Sequence, residues 1–371
     1  MKVREDQVRS FRMRRGHLSG AGAEDALAAA RAIVGIQAQV EGPAYWAVSM
    51  RTATRPTAKQ LKTAWQVDRR LVRTWAQRDT LHLFGAEDWP WFAAADQLWS
   101  QTGRATVRAP DDVLEVARER LRAGACTRTD LLDLVTETMR AEMTKRVGED
   151  QADRYAAGRI PWQLAHRGEV CLGLKRGSEQ SYVHRDLWLP DLGGFGLDPT
   201  QAAVELTRRY LAVHGPASPH DIAHFFGAKI GLARSWLDAL ADECATVHCE
   251  LRELTVLSRD LEALQAEPSL EPARLLAGYD TVLMAHSDKT WTTATDADRK
   301  QVWRRSAVVA ATVFHNGCIV GTWTHKAKKS GVTVTVTPLS GWTDSALEGV
   351  EADAQRLAAH LEVAEGRVVM G

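Results

Sequence analysis

The chain has no net charge: lysine plus arginine number 47, and aspartate plus glutamate number 47. Affinity for a polyanion must therefore come from local clusters of basic side chains, not from a global field. Cysteine is sparse. Cys126, Cys171, Cys244, Cys249 and Cys318 make an odd, scattered set with no Cys-x-x-Cys pair. That pattern suits reduced thiols in the cytoplasm and argues against a zinc ribbon. No apolar run approaches the ~20 residues of a membrane span. The opening MKVREDQVRSFRMRR also lacks the apolar core of a secretion signal. A cytoplasmic protein with no membrane partner is expected. The lysine-poor, Ala-, Arg- and acid-rich composition fits a high-GC bacterial genome and bounds nothing about chemistry. At 371 residues the chain is long enough for two to four units with their own cores.

What is present is a repeated order of elements. The first segment opens on a local basic surplus, with Lys2, Arg4, Arg9, Arg12, Arg14 and Arg15 against Glu5 and Asp6. Residues 6–17 suit a helix, 19–22 a turn and 24–36 an Ala-rich helix with Leu27, Ala30, Ile33 and Val34 at helical spacing. A short aromatic helix around Tyr45, Trp46 and Met50 follows, then a helix from a Thr57 cap to about Val67. Residues 69–84 alternate like two strands around an Asp79-Thr80 turn.

The same order returns twice. Residues 111–122 read as a helix, Thr129 as the cap of a second and 160–167 as a third, before a hairpin of 170–174 and 181–183. Later come a helix over 201–214, a Ser218-Pro219 helix start, a helix over 230–242 and strands near 246–251 and 254–257. Three helix-turn-helix-wing repeats predict a tandem winged-helix array. From about Leu275 the texture turns to strands, at 308–313, 318–324 and 332–336. A polar tip, Thr324-His325-Lys326-Ala327-Lys328-Lys329-Ser330-Gly331, lies between the last two, and a helix over 347–361 follows. The expected fold is α+β and mainly α. It has winged-helix units at 1–105, 106–195 and 196–265 and a C-terminal β-rich part with a basic hairpin at 266–371.

The stretch that organises the functional reading is Gln37-Ala38-Gln39. On a continuing helix these glutamines would diverge, whereas on an extended or turning backbone they project to one side. Gly42-Pro43 favours the second geometry, because proline disfavours helical backbone in the residue before it. Two convergent amides can cradle a water or a sugar oxygen. They make a poor general base, having no useful proton affinity near neutral pH.

With these residues in view, the chain resembles the bacterial winged-helix DNA glycosylases that unhook alkylated bases and interstrand crosslinks, the AlkZ/YcaQ group. Gln37-Ala38-Gln39 is similar to the family's Gln-apolar-Gln signature, the AlkZ-like form, where the YcaQ-like branch has Gln-apolar-Asp. Further matches are Val72-Arg73-Thr74-Trp75-Ala76 through Thr80-Leu81-His82-Leu83, Leu275-Leu276 with Tyr279-Asp280, and Val320-Gly321-Thr322-Trp323. The resemblance spans essentially the whole chain and implies three tandem winged helices with a small β-containing C-terminal part. It implies a glycosylase without lyase activity, acting on double-stranded DNA that carries alkylated or crosslinked purines. Self-resistance to a DNA-alkylating agent follows as the setting, and a nucleoid-associated monomer as the form. Gln37 and Gln39 are the expected catalytic pair, and no cofactor or metal is required.

Other residues carry competing readings. The tip residues His325, Lys326, Lys328 and Lys329 are expected to contact DNA phosphates or a groove, against the alternative of a solubilising turn. Trp46 reads first as core, though Tyr45 and Trp46 lie near the glutamines in sequence and could line the site. Trp75, Trp323 and Trp342 are assigned to the core. His220 and His224 are spaced like half a zincin motif, but Asp221 stands where a metalloprotease glutamate would follow, so packing is preferred. Asp280 fits a helix cap or a buried pair. The alternative function is a non-enzymatic winged-helix regulator, which the neutral charge and absence of a ligand domain disfavour.

Overall fold

The computed structural model describes residues 1–99, 107–269 and 271–371. The expected boundary at 105 and 106 lies outside them. Backbone contacts divide the chain into two bodies. The larger takes Met1–Lys62, Leu206–Phe226 and Ile230–Gly371, and the smaller takes Thr63–Glu205 with Gly227–Lys229. Helices dominate, with small sheets between them, which is the mainly helical α+β class expected. No helix among the described residues is long and apolar enough to cross a membrane.

In the smaller body, strands Leu71–Trp75 and Leu81–Gly85 pair antiparallel, Trp75 opposite Leu81. Their connection turns where Arg78 and Asp79 both take left-handed φ, 59° and 57°. A second sheet orders Cys126–Thr127, Ser181–His184 and Val170–Leu172. Thr74 Oγ1 donates to the Val170 carbonyl at 2.9 Å, and Trp75 stacks on Tyr182 at 5.9 Å, so the two hairpins share one core. Two helical expectations are corrected here. Thr129 opens only a 3-10 segment, Thr129–Leu134. The third helix is one long rod, Glu149–His166, that carries Pro161 in its interior.

The larger body is built on a five-stranded sheet. Its order is Gly366–Met370, Gly331–Pro338, Cys318–Lys328, Thr312–His315 and Arg274–Leu276. All neighbours run antiparallel except the first pair. Val332, Val334 and Val336 alternate inward and are buried, and helix Ser345–His360 packs on this side. The approach is close enough to require glycine: a Cβ on Gly349 would lie 2.4 Å from Ala273 N. Asp353 of this helix, fully buried, accepts from Arg274 Nε at 3.1 Å and from Leu275 N at 2.8 Å. Arg274 also donates to the carbonyls of Leu18 and Met50, which ties the N-terminal elements to the sheet.

The same body holds helices Pro219–Phe226 and Ile230–Asp238 and the hairpin Cys244–Cys249 with Arg252–Leu257. Ser218 caps as expected: its Oγ accepts from Asp221 N at 3.2 Å, and Asp221 Oδ2 accepts from Ser218 N at 3.0 Å. Val8 and Phe11 of helix Glu5–Arg15 bury against Val247 and Val256 of this hairpin.

Candidate functional site

Helix Ala26–Ala32 begins at Asp25, whose carboxylate accepts from Ala28 N at 2.8 Å. It stops four residues before the expected end at residue 36. Gly35 N reaches back to the Ala30 carbonyl at 3.1 Å, the long closing bond of a Schellman-type end. Val34 and Gly35 are both left-handed, φ 60° and 83°. Glycine accepts this freely, whereas a β-branched valine is strained there by about 1–3 kcal/mol. The reversal throws Ile36–Gln37 into a short strand. Val40 is again extended, φ −117° and ψ 130°, before the next helix starts at Glu41. The strand ends at Gln37, and Gln39 and Val40 form a bend that leads into helix Glu41–Ser49. Ala38 is buried, Gln37 half-buried and Gln39 exposed.

Proline is not the cause of this geometry. Gly42 and Pro43 fall inside the first turn of helix Glu41–Ser49, where a missing N–H costs nothing. The break comes from the left-handed pair upstream. It is steadied by Thr281, whose Oγ1 donates to the Gly35 carbonyl at 3.4 Å. Asp280 caps the short helix Thr281–Met284 and forms a fully buried, two-bonded pair with Arg51, 2.7 and 2.9 Å. Both readings of Asp280 therefore hold at once, and its role is structural.

The lysines are placed differently from the expected loop. Strand Cys318–Lys328 continues through them, and only Lys329 and Ser330 form the turn. Register puts Lys326 beside Thr333 and Lys328 beside Gly331, while His325 pairs with Val334. Lys326, Lys328 and Thr324 thus share one face of the ribbon, and His325, also exposed, lies on the face that carries Val334. Ladder pairing holds this arm extended, which a string of polar residues does not announce. The parallel strand adds Arg367 beside Thr333, a basic neighbour that sequence reading missed because nothing local marks residues 366–370 as a strand. Arg367 is exposed and 3.5 Å from Glu365.

Tyr45 and Trp46 are both buried on helix Glu41–Ser49. Trp46 donates its indole N–H to the Leu275 carbonyl at 2.6 Å. It also lines a cavity of ≈ 280 Å³ shared with Gly42, Pro43, Trp323, Thr324 and His325. The backbone just after the glutamines and the root of the lysine arm therefore meet at one wall. Burial holds the His325 imidazole below its ordinary value. On the other pair, Asp221 is absorbed in capping and accepts from Ser287 N and Oγ, each 2.8 Å. Among the described residues no group of three or more His, Cys, Asp or Glu could hold a metal.

The family model described as DNA glycosylase AlkZ-like matches residues 30–360. The chain belongs to this family of DNA glycosylases. It is 28% identical over 342 residues to an interstrand DNA cross-link repair glycosylase of Streptomyces sahachiroi, covering 87% of this chain and 88% of that protein. It is similar in fold to the solved DNA glycosylase AlkZ of Streptomyces sahachiroi, with TM-score 0.81, 24% identity and 100% of each chain covered.

Proposed function

We propose that this protein is a monofunctional glycosylase for N7-alkylated purines in double-stranded DNA, interstrand crosslinks included. It hydrolyses the N-glycosidic bond and leaves an abasic site, protecting a bacterium against a DNA-alkylating agent. The observation that supports the reading is the left-handed break at Val34 and Gly35, which ends the helix before Gln37-Ala38-Gln39 and leaves Gln37 half-buried and Gln39 exposed. The relative's printed name, a repair glycosylase for interstrand cross-links, supports the substrate class.

The chemistry matches amides. Alkylation at N7 makes the purine cationic, so the base leaves as a neutral species and needs little acid catalysis. What remains is to position a water and to favour positive charge developing on the sugar. Two amide oxygens serve both purposes between them. Paired carboxylates, as glycoside hydrolases use, are not required. A crosslinked base stays tethered to the opposite strand and cannot swing fully out, so an open site suits it better than a closed pocket. Lys326 and Lys328 on one face of their arm and Lys329 at its tip grip phosphate, and His325 contributes from its root.

The test is incubation with duplex DNA containing N7-methylguanine in the presence of a chelator. Free N7-methylguanine and strands that break only after alkali are expected. Absence of base release overturns the reading, and a borohydride-trapped protein–DNA adduct overturns the hydrolytic mechanism in favour of a lysine nucleophile.

A further inference from the structure

We propose that the exposed loop between Trp303 and Val309 is a second DNA-gripping prong, whose Arg304 and Arg305 take phosphates of the duplex. Its base is closed by pairing. Trp303 and Val309 form an antiparallel bridge, and Arg304 N donates to the Val308 carbonyl at 2.8 Å. Ala307 reverses the chain in the left-handed region, φ 57°, without a glycine to relieve it. Such strain persists only where the surroundings hold it, and it gathers at functional segments. Here the surroundings are firm. Val302 and Val309 are buried, and the Trp303 indole N–H donates to the Leu283 carbonyl at 3.2 Å.

The loop carries charge that nothing neutralises. Lys300, Arg304 and Arg305 are exposed and have no ion pair among the described residues. Arg304 Nε donates to the Gln301 carbonyl at 2.8 Å, which holds the guanidinium without cancelling its charge. The acids of the preceding helix, Asp296–Val302, are committed elsewhere. Asp296 pairs with Arg299, and buried Asp298 accepts from Thr295 Oγ1 at 2.7 Å and Ser340 N at 3.3 Å. In a chain with no net charge, a local surplus of this kind is what a polyanion can recognise. Arginine suits phosphate in particular, because its planar fork presents paired N–H donors.

Sheet register says where the loop stands. Thr312 faces Thr322 on one side and Leu276 on the other, both antiparallel. The chain before Thr312 and the chains after Thr322 and Leu276 therefore leave the sheet at one end. Trp323 N donates to the Ala311 carbonyl at 3.0 Å, so the pairing runs on past Thr312 in that direction. Four residues out from this rung lie Val308 on one path and Lys326 on the other. The third path passes Gly278 and reaches Thr281, which holds the Gly35 carbonyl before Gln37. Gly278 lies so close to the base of the loop that a Cβ there would be 2.9 Å from the Val309 carbonyl oxygen. The glutamine break, the arginine loop and the lysine arm thus stand at one end of one sheet, in the larger body. DNA as partner follows from the family, whereas a part for the loop in excision rests on the proposed function.

Fluorescence anisotropy with the full chain, on undamaged and N7-methylguanine duplexes at several salt concentrations, tests the loop. Arg304→Ala with Arg305→Ala should weaken both complexes about tenfold or more. It should also flatten the log–log salt slope by about two units, one for each phosphate released. Arg304→Lys with Arg305→Lys keeps the charge and should keep the slope. With p-benzoylphenylalanine in place of Val308, light should crosslink the protein to duplex. Melting temperature is the fold control for every variant. An alanine pair that binds with the parent's affinity and slope overturns the proposal, as does a photoprobe that labels no DNA. A lysine pair as flat as the alanine pair overturns it too, since charge would not be what binds. A parent that binds duplex but releases no N7-methylguanine refutes the glycosylase reading and leaves the binding data to decide the loop.

Discussion

An amide offers a reacting sugar a dipole and a water a hydrogen bond, but no proton, so its removal should change rate without changing DNA affinity. Gln37→Ala and Gln39→Ala are each expected to fold normally and to slow single-turnover excision by a factor on the order of 10 to 1,000, as for a single preorganised dipole. Parental rates in both variants would remove the pair from catalysis. Asp280 presents the opposite case. It stands in a family-like motif, yet its partners are Arg51 and the Val282 N–H, all within the protein. Both members of the pair are fully buried, so deleting one leaves an uncompensated charge. Asp280→Ala is expected to destabilise by about 3–5 kcal/mol, whereas Arg51→Met with Asp280→Leu should recover most of that. Denaturant unfolding of the single and double variants decides it, and a single variant as stable as the double would assign the pair no structural role. Motif residues thus divide into those that face outward, like Gln39, and those that hold the break in place.

At the scale of elements, the arm formed by Cys318–Lys328 and Gly331–Pro338 invites a test of DNA contact. Because pairing keeps it extended, its lysines meet phosphate with little ordering cost, and each neutralised phosphate adds about one unit to the log–log salt slope. Replacing Lys326, Lys328 and Lys329 by alanine should weaken binding to damaged and undamaged duplex alike and flatten the slope by about two to three units. Adding Arg367→Ala should flatten it further if the shared face with Thr333 is what meets DNA. Excision at saturating protein should fall far less than at limiting protein. Binding by the triple variant that equals the parent at two salt concentrations would reduce the arm to a solvated ribbon. These elements also show what local sequence carries. Ser218-Pro219 was legible because a cap is made by neighbours in sequence. The end of helix Ala26–Ala32 was overrun because valine carries no local signal for a left-handed conformation, although Gly35 marked a stop. Strand Gly366–Met370 was invisible because its pairing with residues 332–336 is supplied from elsewhere. The face that His325 takes and the burial of His360 depend on register and packing for the same reason.

For the molecule as a whole, several histidines are buried uncharged, and this dictates its response to acid. Burial lowers His82 to about 3 in the smaller body and His286 to about 4 in the larger, and also lowers His214 and His360. Asp221 moves the same way. Burial alone would raise it, but the His286 ring 3.8 Å away and hydrogen bonds from Ser218 N and Oγ bring its carboxyl well below the ordinary range. As pH falls below the ordinary histidine value of about 6.5, the unfolded chain takes up protons that the folded chain refuses, so stability falls. The loss for each group ends only below its folded value, and Asp221 adds to it below about pH 4. Each such histidine contributes at most about 1.4 kcal/mol per pH unit, or about 2 kcal/mol between pH 6.5 and 5. Urea unfolding at pH 7.5 and 5 should therefore show a marked loss on the acid side. His82 isolates one share of it. Its Nδ1 donates to the Thr80 carbonyl at 2.9 Å, and that carbonyl also accepts from Ala76 N at 3.1 Å, so His82→Phe leaves the acceptor satisfied. The variant should narrow the stability gap between the two pH values by about 2 kcal/mol at most. A gap that stays the same width would mean that His82 is protonated as readily in the folded chain as in the unfolded one.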